Sequence, residues 1–381
     1  MNQGTGLFSH CLKCGARSSG IHLKCPVCGG VTILEYEEAS PTVDRSEASI
    51  WRYKGLLPGF PRRVSMGEGL TPLRTVDGVI VKNERKNPTG SYSDRASSVI
   101  ASYIASTGWR GVLRVEYVED FAYSLAYYTR GLVNGRILVE DPLNADADEL
   151  VKAHKLGFGI EVCNSSEADL PYINPLTIEG LKTILLEIHE RRLNVENIVV
   201  PVETGTLAFS LCKALRELGE MGMHPGYIVV GATLKGWGKP WLLNHCKDSI
   251  RVEEVEPAEA VESLLKLSRM GLRTKLVSAL AYAVARSMGG SIAVITIGEK
   301  QVRQRRSVSG LGMEILGILE KHGDLTAYEV WRMLGKYSLR GVYKALRSLE
   351  ELGLICVKHV VKGVGRKVKT YSVCEDTYIV E

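Results

Sequence analysis

Val81-Lys82-Asn83-Glu84-Arg85-Lys86-Asn87-Pro88-Thr89-Gly90-Ser91-Tyr92-Ser93-Asp94-Arg95 is the stretch from which the fold of this chain is read. Its first residues are strand-like. Asn87-Pro88-Thr89-Gly90 is turn chemistry, with φ fixed at the proline and the glycine free to take φ > 0. Ser91 followed by Asp94 is close to a capping box, ahead of the apolar run Val99, Ile100, Tyr103 and Ile104. The local reading is strand, turn, helix.

Working outward, short β-branched runs alternate with segments of helical period from about Gly78 to Lys300. The strand-like runs are 112–115, 136–139, 198–202, 227–230 and 292–296, and Leu181-Ile184-Leu185-Ile188 and Leu211-Ala214-Leu215-Leu218 lie at helical spacing. Buried strands separated by helices predict an α/β fold with a parallel sheet. Upstream, Cys11-x-x-Cys14-Gly15 and Cys25-Pro26-x-Cys28-Gly29 are two knuckles ten residues apart. Four thiolates at this spacing give Zn²⁺ a closed tetrahedral site, so Cys11, Cys14, Cys25 and Cys28 are read as a structural zinc ribbon. His10 and His22 lie nearby and are surplus to that set.

Taken whole, Lys-x-Glu, a short gap and Asn-Pro-Thr-Gly-Ser-aromatic-x-Asp-Arg closely resembles the threonine synthase signature among the fold type II pyridoxal-phosphate enzymes. Met66-Gly67-Glu68-Gly69-Leu70-Thr71-Pro72-Leu73 resembles the run that enters that family's catalytic domain, and an N-terminal ribbon precedes it in many members. The resemblance implies a two-lobed, tryptophan-synthase-β-like body. It also places Ser93 where the family carries the lysine that forms the imine with the cofactor. A hydroxyl cannot form an imine, so a pyridoxal phosphate held in that way is not expected, and neither Lys82 nor Lys86 is an obvious substitute.

Other family positions carry over where motifs align. The phosphate loop corresponds to Glu203-Thr204-Gly205-Thr206, with an acid where glycine is usual. At about 4 Å a carboxylate and a phosphate charge repel by several kcal/mol at an effective dielectric near 20. The substrate-carboxylate loop corresponds to Tyr117-Val118-Glu119-Asp120 beside Glu116, and the residue facing the pyridine nitrogen falls near Thr296. Asn174-Pro175 through Thr183 keeps the scaffold pattern. Ser93, Asp120, Glu203, Thr204, Gly205, Thr206 and Thr296 are therefore read as a vestigial pocket.

From Lys300 to Thr370 there are 15 Lys and Arg against 6 Asp and Glu, a local +9 on a chain whose net charge is +5. Residues 301–310 form a basic linker. Beyond it, three short amphipathic helices (with Leu311, Ile315, Leu316, Val330, Met333, Val342, Leu346 and Leu349 inward) precede two strands. This order resembles a winged helix-turn-helix. It offers Ser338, Arg340, Tyr343, Lys344 and Arg347 on the third helix, and Lys362, Arg366, Lys367 and Lys369 on the wing, to double-stranded DNA.

The expected organisation is a ribbon over 1–38, a body over 39–300 and a winged helix over 311–381. The leading functional expectation is a DNA-binding transcription regulator, dimeric through a non-catalytic body that senses a small metabolite such as an amino acid. One alternative is a divergent pyridoxal-phosphate-dependent lyase resembling threonine synthase, and another a protein- or RNA-binding scaffold. No run is long and apolar enough to span a membrane. Five scattered cysteines, read as unpaired, suggest the cytoplasm.

Overall fold

Each strand-like run of the sequence becomes a strand, and the sheet orders show how they assemble. The computed structural model describes residues 6–163, 167–296, 309–351, 354–361 and 367–373. Two units are distinguished, Met1–Val302 and Arg303–Glu381.

In the first unit a small antiparallel sheet, ordered β2-β1-β3, is formed by β1 (Leu7–Cys11), β2 (Arg17–Ser19) and β3 (Thr32–Tyr36). The body follows with β4 (Leu73–Val76), β5 (Val79–Asn83), α1 (Ser93–Thr107), β6 (Val112–Glu116), α2 (Phe121–Thr129), β7 (Asn134–Val139), α3 (Ala147–Lys155) and β8 (Gly159–Val162). It continues through α4 (Pro175–Glu190), β9 (Asn197–Pro201), α5 (Thr206–Glu220), β10 (Ile228–Leu234), β11 (Ile250–Val255), α6 (Pro257–Arg269), α7 (Leu276–Met288) and β12 (Ser291–Ile295).

A six-stranded sheet runs β11-β10-β9-β12-β5-β4, parallel except where β4 pairs antiparallel with β5. A second, all-parallel sheet is ordered β6-β7-β8. Two apolar clusters cover the large sheet, one built on α1, α4 and α5 and the other on α6 and α7. Their burial is the main stabilising term, as expected for parallel strands covered on both faces. The packing of α1 on α4 depends on Gly180, where a Cβ would lie 2.4 Å from the Arg95 carbonyl oxygen.

The deciding stretch departs from a simple capping box. Helix α1 begins at Ser93, with Tyr92 and not Ser91 in the capping position. The Asp94 carboxylate instead accepts from the Thr89 backbone N–H at 2.6 Å and the Thr89 hydroxyl at 2.5 Å, while Ser91 Oγ accepts from Ser93 N–H. The motif's charged residues hold the turn from within. Lys82 Nζ lies 2.6 Å from Glu187 and 3.2 Å from Glu84, and Arg95 reaches Glu84 at 2.8 Å and Glu187 at 2.6 Å, all four fully buried. The run 66–73 docks on this network: Gly69 N–H donates to Asn87 Oδ1, Leu70 N–H to Glu187, and Thr71 Oγ1 to Glu84 at 2.6 Å.

In the second unit α8 (Gly310–His322), β13 (Leu325–Thr326), α9 (Ala327–Leu334), α10 (Leu339–Glu351), β14 (Ile355–Val361) and β15 (Lys367–Val373) enclose a separate apolar core. The sheet order is β13-β15-β14. Thr326 and Glu329 form a reciprocal capping box, and Gly335 at φ +67° ends α9. Met333, expected inward, is half exposed because it falls outside the stripe centred on Val330. Cys356 is disulfide-bonded, so the scattered cysteines are not all unpaired; Cys163, Cys212 and Cys246 are free. No described helix is long and apolar enough to cross a membrane.

Candidate functional site

A cavity of about 320 Å³ lies in the body, where α1 and α5 begin beside the carboxyl ends of β9 and β12. In open α/β folds ligands bind at such strand ends. The cavity is lined by Ser93, Asp120, Glu203, Thr204, Gly205, Thr206 and Thr296, so all seven residues of the expected pocket converge. It also contains Tyr92, Glu119, Tyr172 and Lys275, none of which the pocket reading included except Glu119, named only as part of the carboxylate loop.

Each side chain has a local reason for its place. Thr296 at the end of β12 donates from Oγ1 to the Gly90 carbonyl at 2.9 Å, tying the sheet to the turn. Gly205 takes φ +82° as the residue before α5, and a Cβ there would lie 3.1 Å from Pro240 Cβ. The Thr204 and Thr206 hydroxyls are 2.8 Å apart, and Thr206 N–H donates to Thr204 Oγ1. The loop so formed presents hydroxyls and the positive end of a 15-residue helix to the cavity. Glu203 stands exposed at its edge, its carboxyl raised by loss of water and by Glu119.

Asp120 precedes α2 at φ +71°, a conformation uncommon outside glycine. Its carboxylate accepts from Lys275 Nζ at 2.6 Å, and Lys275 also reaches Glu119 at 2.5 Å. Burial, partly offset by Lys275, pushes the Asp120 carboxyl up to about 6. Burial acts against the Lys275 charge, but the two carboxylates outweigh it and hold its pKa above the ordinary value. Ser91, beside the turn, donates its hydroxyl to Ser93 Oγ at 3.3 Å.

Two further residues were illegible in the sequence. Glu149 of α3 accepts from the backbone N–H groups of Asp120 at 3.0 Å and Tyr123 at 2.9 Å, satisfying the start of α2 from within the protein. Burial, with Asp120 nearby, pushes its carboxyl up to about 8. Tyr172 is 6% exposed and lines the cavity.

The other candidate amines do not reach this cavity. Lys82 is consumed by the buried network, and Lys86 is exposed and absent from the lining. In the ribbon, the sulfurs of Cys11, Cys14, Cys25 and Cys28 all lie within 4.8 Å of one another, close to the spacing set by Zn–S bonds of about 2.3 Å. The set can hold a metal such as zinc. His10 pairs with Glu35 and His22 with the Ser19 carbonyl, so neither histidine joins it.

In the second unit Arg340, Tyr343, Lys344 and Arg347 are exposed on α10, and Ser338 Oγ accepts from Gly341 N–H before the helix. Lys369 is exposed on β15, Lys367 lies in that strand, and Lys362 and Arg366 fall outside the described residues.

No protein-family model matches the chain. Threonine synthase of Methanosarcina acetivorans is 24% identical in an alignment of 339 positions that covers 80% of this chain and 82% of that protein. Threonine synthase of Methanocaldococcus jannaschii is 27% identical in an alignment of 265 positions that covers 57% of this chain and 62% of that protein. Serine racemase of Dictyostelium discoideum superposes with a TM-score of 0.52 at 18% identity, covering 60% of this chain and 92% of that one. A pyridoxal 5'-phosphate-dependent aspartate racemase gives 0.52 at 15% identity, covering 65% and 99%. The body is a fold type II structure, similar in sequence to threonine synthases.

These relatives overturn the DNA-binding transcription regulator expected from the basic segment. Similarity to threonine synthases extends over 80% of the chain. By contrast, cations on the outer face of α10 are what a solvated amphipathic helix ordinarily carries, and they name no partner.

The fold implies pyridoxal phosphate, and the residues present can be compared with it. An imine at residue 93 is chemically closed. The Thr204–Thr206 loop and the start of α5 suit a phosphate, Thr296 offers a hydroxyl, and Lys275 supplies an amine on the same cavity. Glu203 lines the cavity and opposes the phosphate, its own charge already disfavoured by loss of water and by Glu119. The loop and Thr296 suit parts of the cofactor, whereas Ser93 offers no imine, Lys275 is paired with Asp120 and Glu119, and the three carboxylates of the lining oppose an anion.

Proposed function

We propose that this protein is a divergent pyridoxal-phosphate-dependent lyase of the threonine-synthase type. Its substrates would be amino acids carrying a hydroxyl, or the phosphate ester of one, beyond the α-carbon, in keeping with the threonine synthases and serine racemase that resemble it. The observation that carries the reading is convergence: phosphate loop, Thr296, the Asp120 loop and an amine line one cavity. When bound, the cofactor would act as an electron sink for carbon–hydrogen cleavage.

The chain's own residues then have definite tasks. Thr204, Thr206 and the α5 amides would bind phosphate, and Tyr92 and Tyr172 would narrow the cavity and exclude water. Asp120, with its carboxyl pushed up to about 6, is suited to accept and return a proton near neutrality, with Lys275 against it. The zinc ribbon braces the body from outside, through Tyr36 to Glu179 at 2.5 Å and Lys24 to the Ala168 carbonyl at 2.8 Å. The element order and sheet of the C-terminal unit support a winged-helix module.

A second, non-catalytic reading is favoured by Ser93 together with the acids Glu203, Glu119 and Asp120 on the same cavity. The test is turnover of serine, threonine and phosphohomoserine by full-length protein supplied with pyridoxal phosphate. Release of keto acid, ammonia or phosphate supports the lyase. Cofactor binding without turnover of any of them supports the non-catalytic protein.

A further inference from the structure

We infer that Arg74, Arg85 and Arg273 form an anion site, separate from the cavity above, that takes a phosphate group as the free ion or as a phosphate monoester. None of the three lines the cavity, and the site stands whether or not the cavity holds a cofactor.

The chain path brings the three together. Arg74 on β4 donates from Nη2 to the Met270 carbonyl at 3.2 Å, which sets the start of the loop between α6 and α7 against the edge of the large sheet. The far end of that loop is fixed by Thr274 Oγ1 and Lys275 N–H, which donate to the Thr296 carbonyl at 2.5 and 3.4 Å. Thr296 follows β12, whose Ile295 is in register with Asn83 of β5, and Arg85 sits in the short turn Glu84–Lys86 directly after β5. Arg273 is therefore held between two anchor points, at the corner that Arg74 and Arg85 also occupy.

The charge at this corner is uncompensated. Arg85 is half-buried, and its Nε is shut away from solvent with no hydrogen-bond partner. Burial, then the like charges of Arg74 and Arg273, hold its guanidinium below the ordinary value, and no carboxylate acts against them. Elsewhere in the body the buried cations Lys82, Arg95, Lys182 and Lys213 each sit against two carboxylates. A cation withdrawn from water without a counter-charge is costly, and an orphaned buried donor calls for a missing partner. A phosphate group supplies both the charge and acceptor oxygens that match the arginine fork. Bound there, it would also steady residues 270–275, the loop that carries Lys275 to the cavity wall.

The experiment follows thermal unfolding of the full-length protein in inorganic phosphate and in chloride at equal ionic strength. The expected result is a melting temperature raised by about 2 °C or more near a tenfold excess over the dissociation constant, lost in Arg85→Met and reduced in Arg273→Gln. Glycerol phosphate at equal concentration separates the two sources: a larger rise assigns an ester, an equal or smaller one the free ion. In chloride alone Arg85→Met, which keeps an apolar stem, is expected to melt no lower than wild type, because it removes an unpaired charge. A marked drop there identifies a structural arginine and overturns the inference. A rise retained in Arg85→Met but lost in Gly205→Val places the anion at the α5 loop and overturns it, as does the absence of any rise in wild type. None of these outcomes bears on turnover, which tests the lyase reading separately.

Discussion

Lys275 Nζ lies 2.6 Å from the Asp120 carboxylate across 155 residues of chain, joining the start of α7 to the start of α2. Removing the amine leaves Asp120 and Glu119 side by side without a cation. Lys275→Ala is expected to cost about 1–3 kcal/mol, below the value for a fully buried pair because the lysine side chain is 22% exposed. The loss should be greatest above about pH 6, where Asp120 is ionised, and should shrink in acid. Urea unfolding at two pH values checks this.

Asp94 and Glu149 carry the opposite dependence from an ordinary carboxylate. Burial pushes Asp94 up to about 7 and Glu149 up to about 8, so the folded state favours their neutral forms. A raised carboxyl contributes stability that is present in acid and is lost as pH rises through the folded value. Thermal stability is therefore expected to fall between about pH 4 and pH 8. Asp94→Asn and Glu149→Gln should each flatten the fall in a scanning calorimeter.

The buried quartet of Lys82, Glu84, Arg95 and Glu187 behaves in the ordinary sense. Arg95 and Lys82 hold both carboxyls below their usual range despite burial, so their contribution is lost only in strong acid. Breaking it is another matter. Arg95→Met leaves two buried carboxylates sharing Lys82 alone and is expected to cost about 3–5 kcal/mol, read as a shift of the denaturant midpoint.

Zinc content tests the ribbon. The four clustered sulfurs predict stoichiometric metal by elemental analysis, removed by chelator and absent in Cys25→Ser. Because Tyr36 and Lys24 reach the body, metal loss should also lower the melting temperature of the body.

Much of this was legible along the chain because local chemistry fixed it. The two CxxC knuckles, the Asn-Pro-Thr-Gly turn and the β-branched runs each specify an element within a few residues. Ser93, the Glu203–Thr206 loop and Thr296 line one cavity because the strands that lead to them, β5, β9 and β12, are adjacent in one sheet, while Asp120 arrives from the separate sheet of β6. Lys275 and Glu149 were missed for the converse reason. Nothing around Lys275 marks it as facing Asp120, and Glu149 looks like a helix-surface acid until α3 packs against α2. The basic tail misled because net charge bears on binding partners but does not specify function.

Equilibrium dialysis of pyridoxal phosphate against the full-length protein tests the central claim most directly. The account predicts saturable, stoichiometric binding that is weakened in Gly205→Val, where φ +82° and the nearby Pro240 leave no room for a side chain. Absence of saturable binding by the wild-type protein would contradict it.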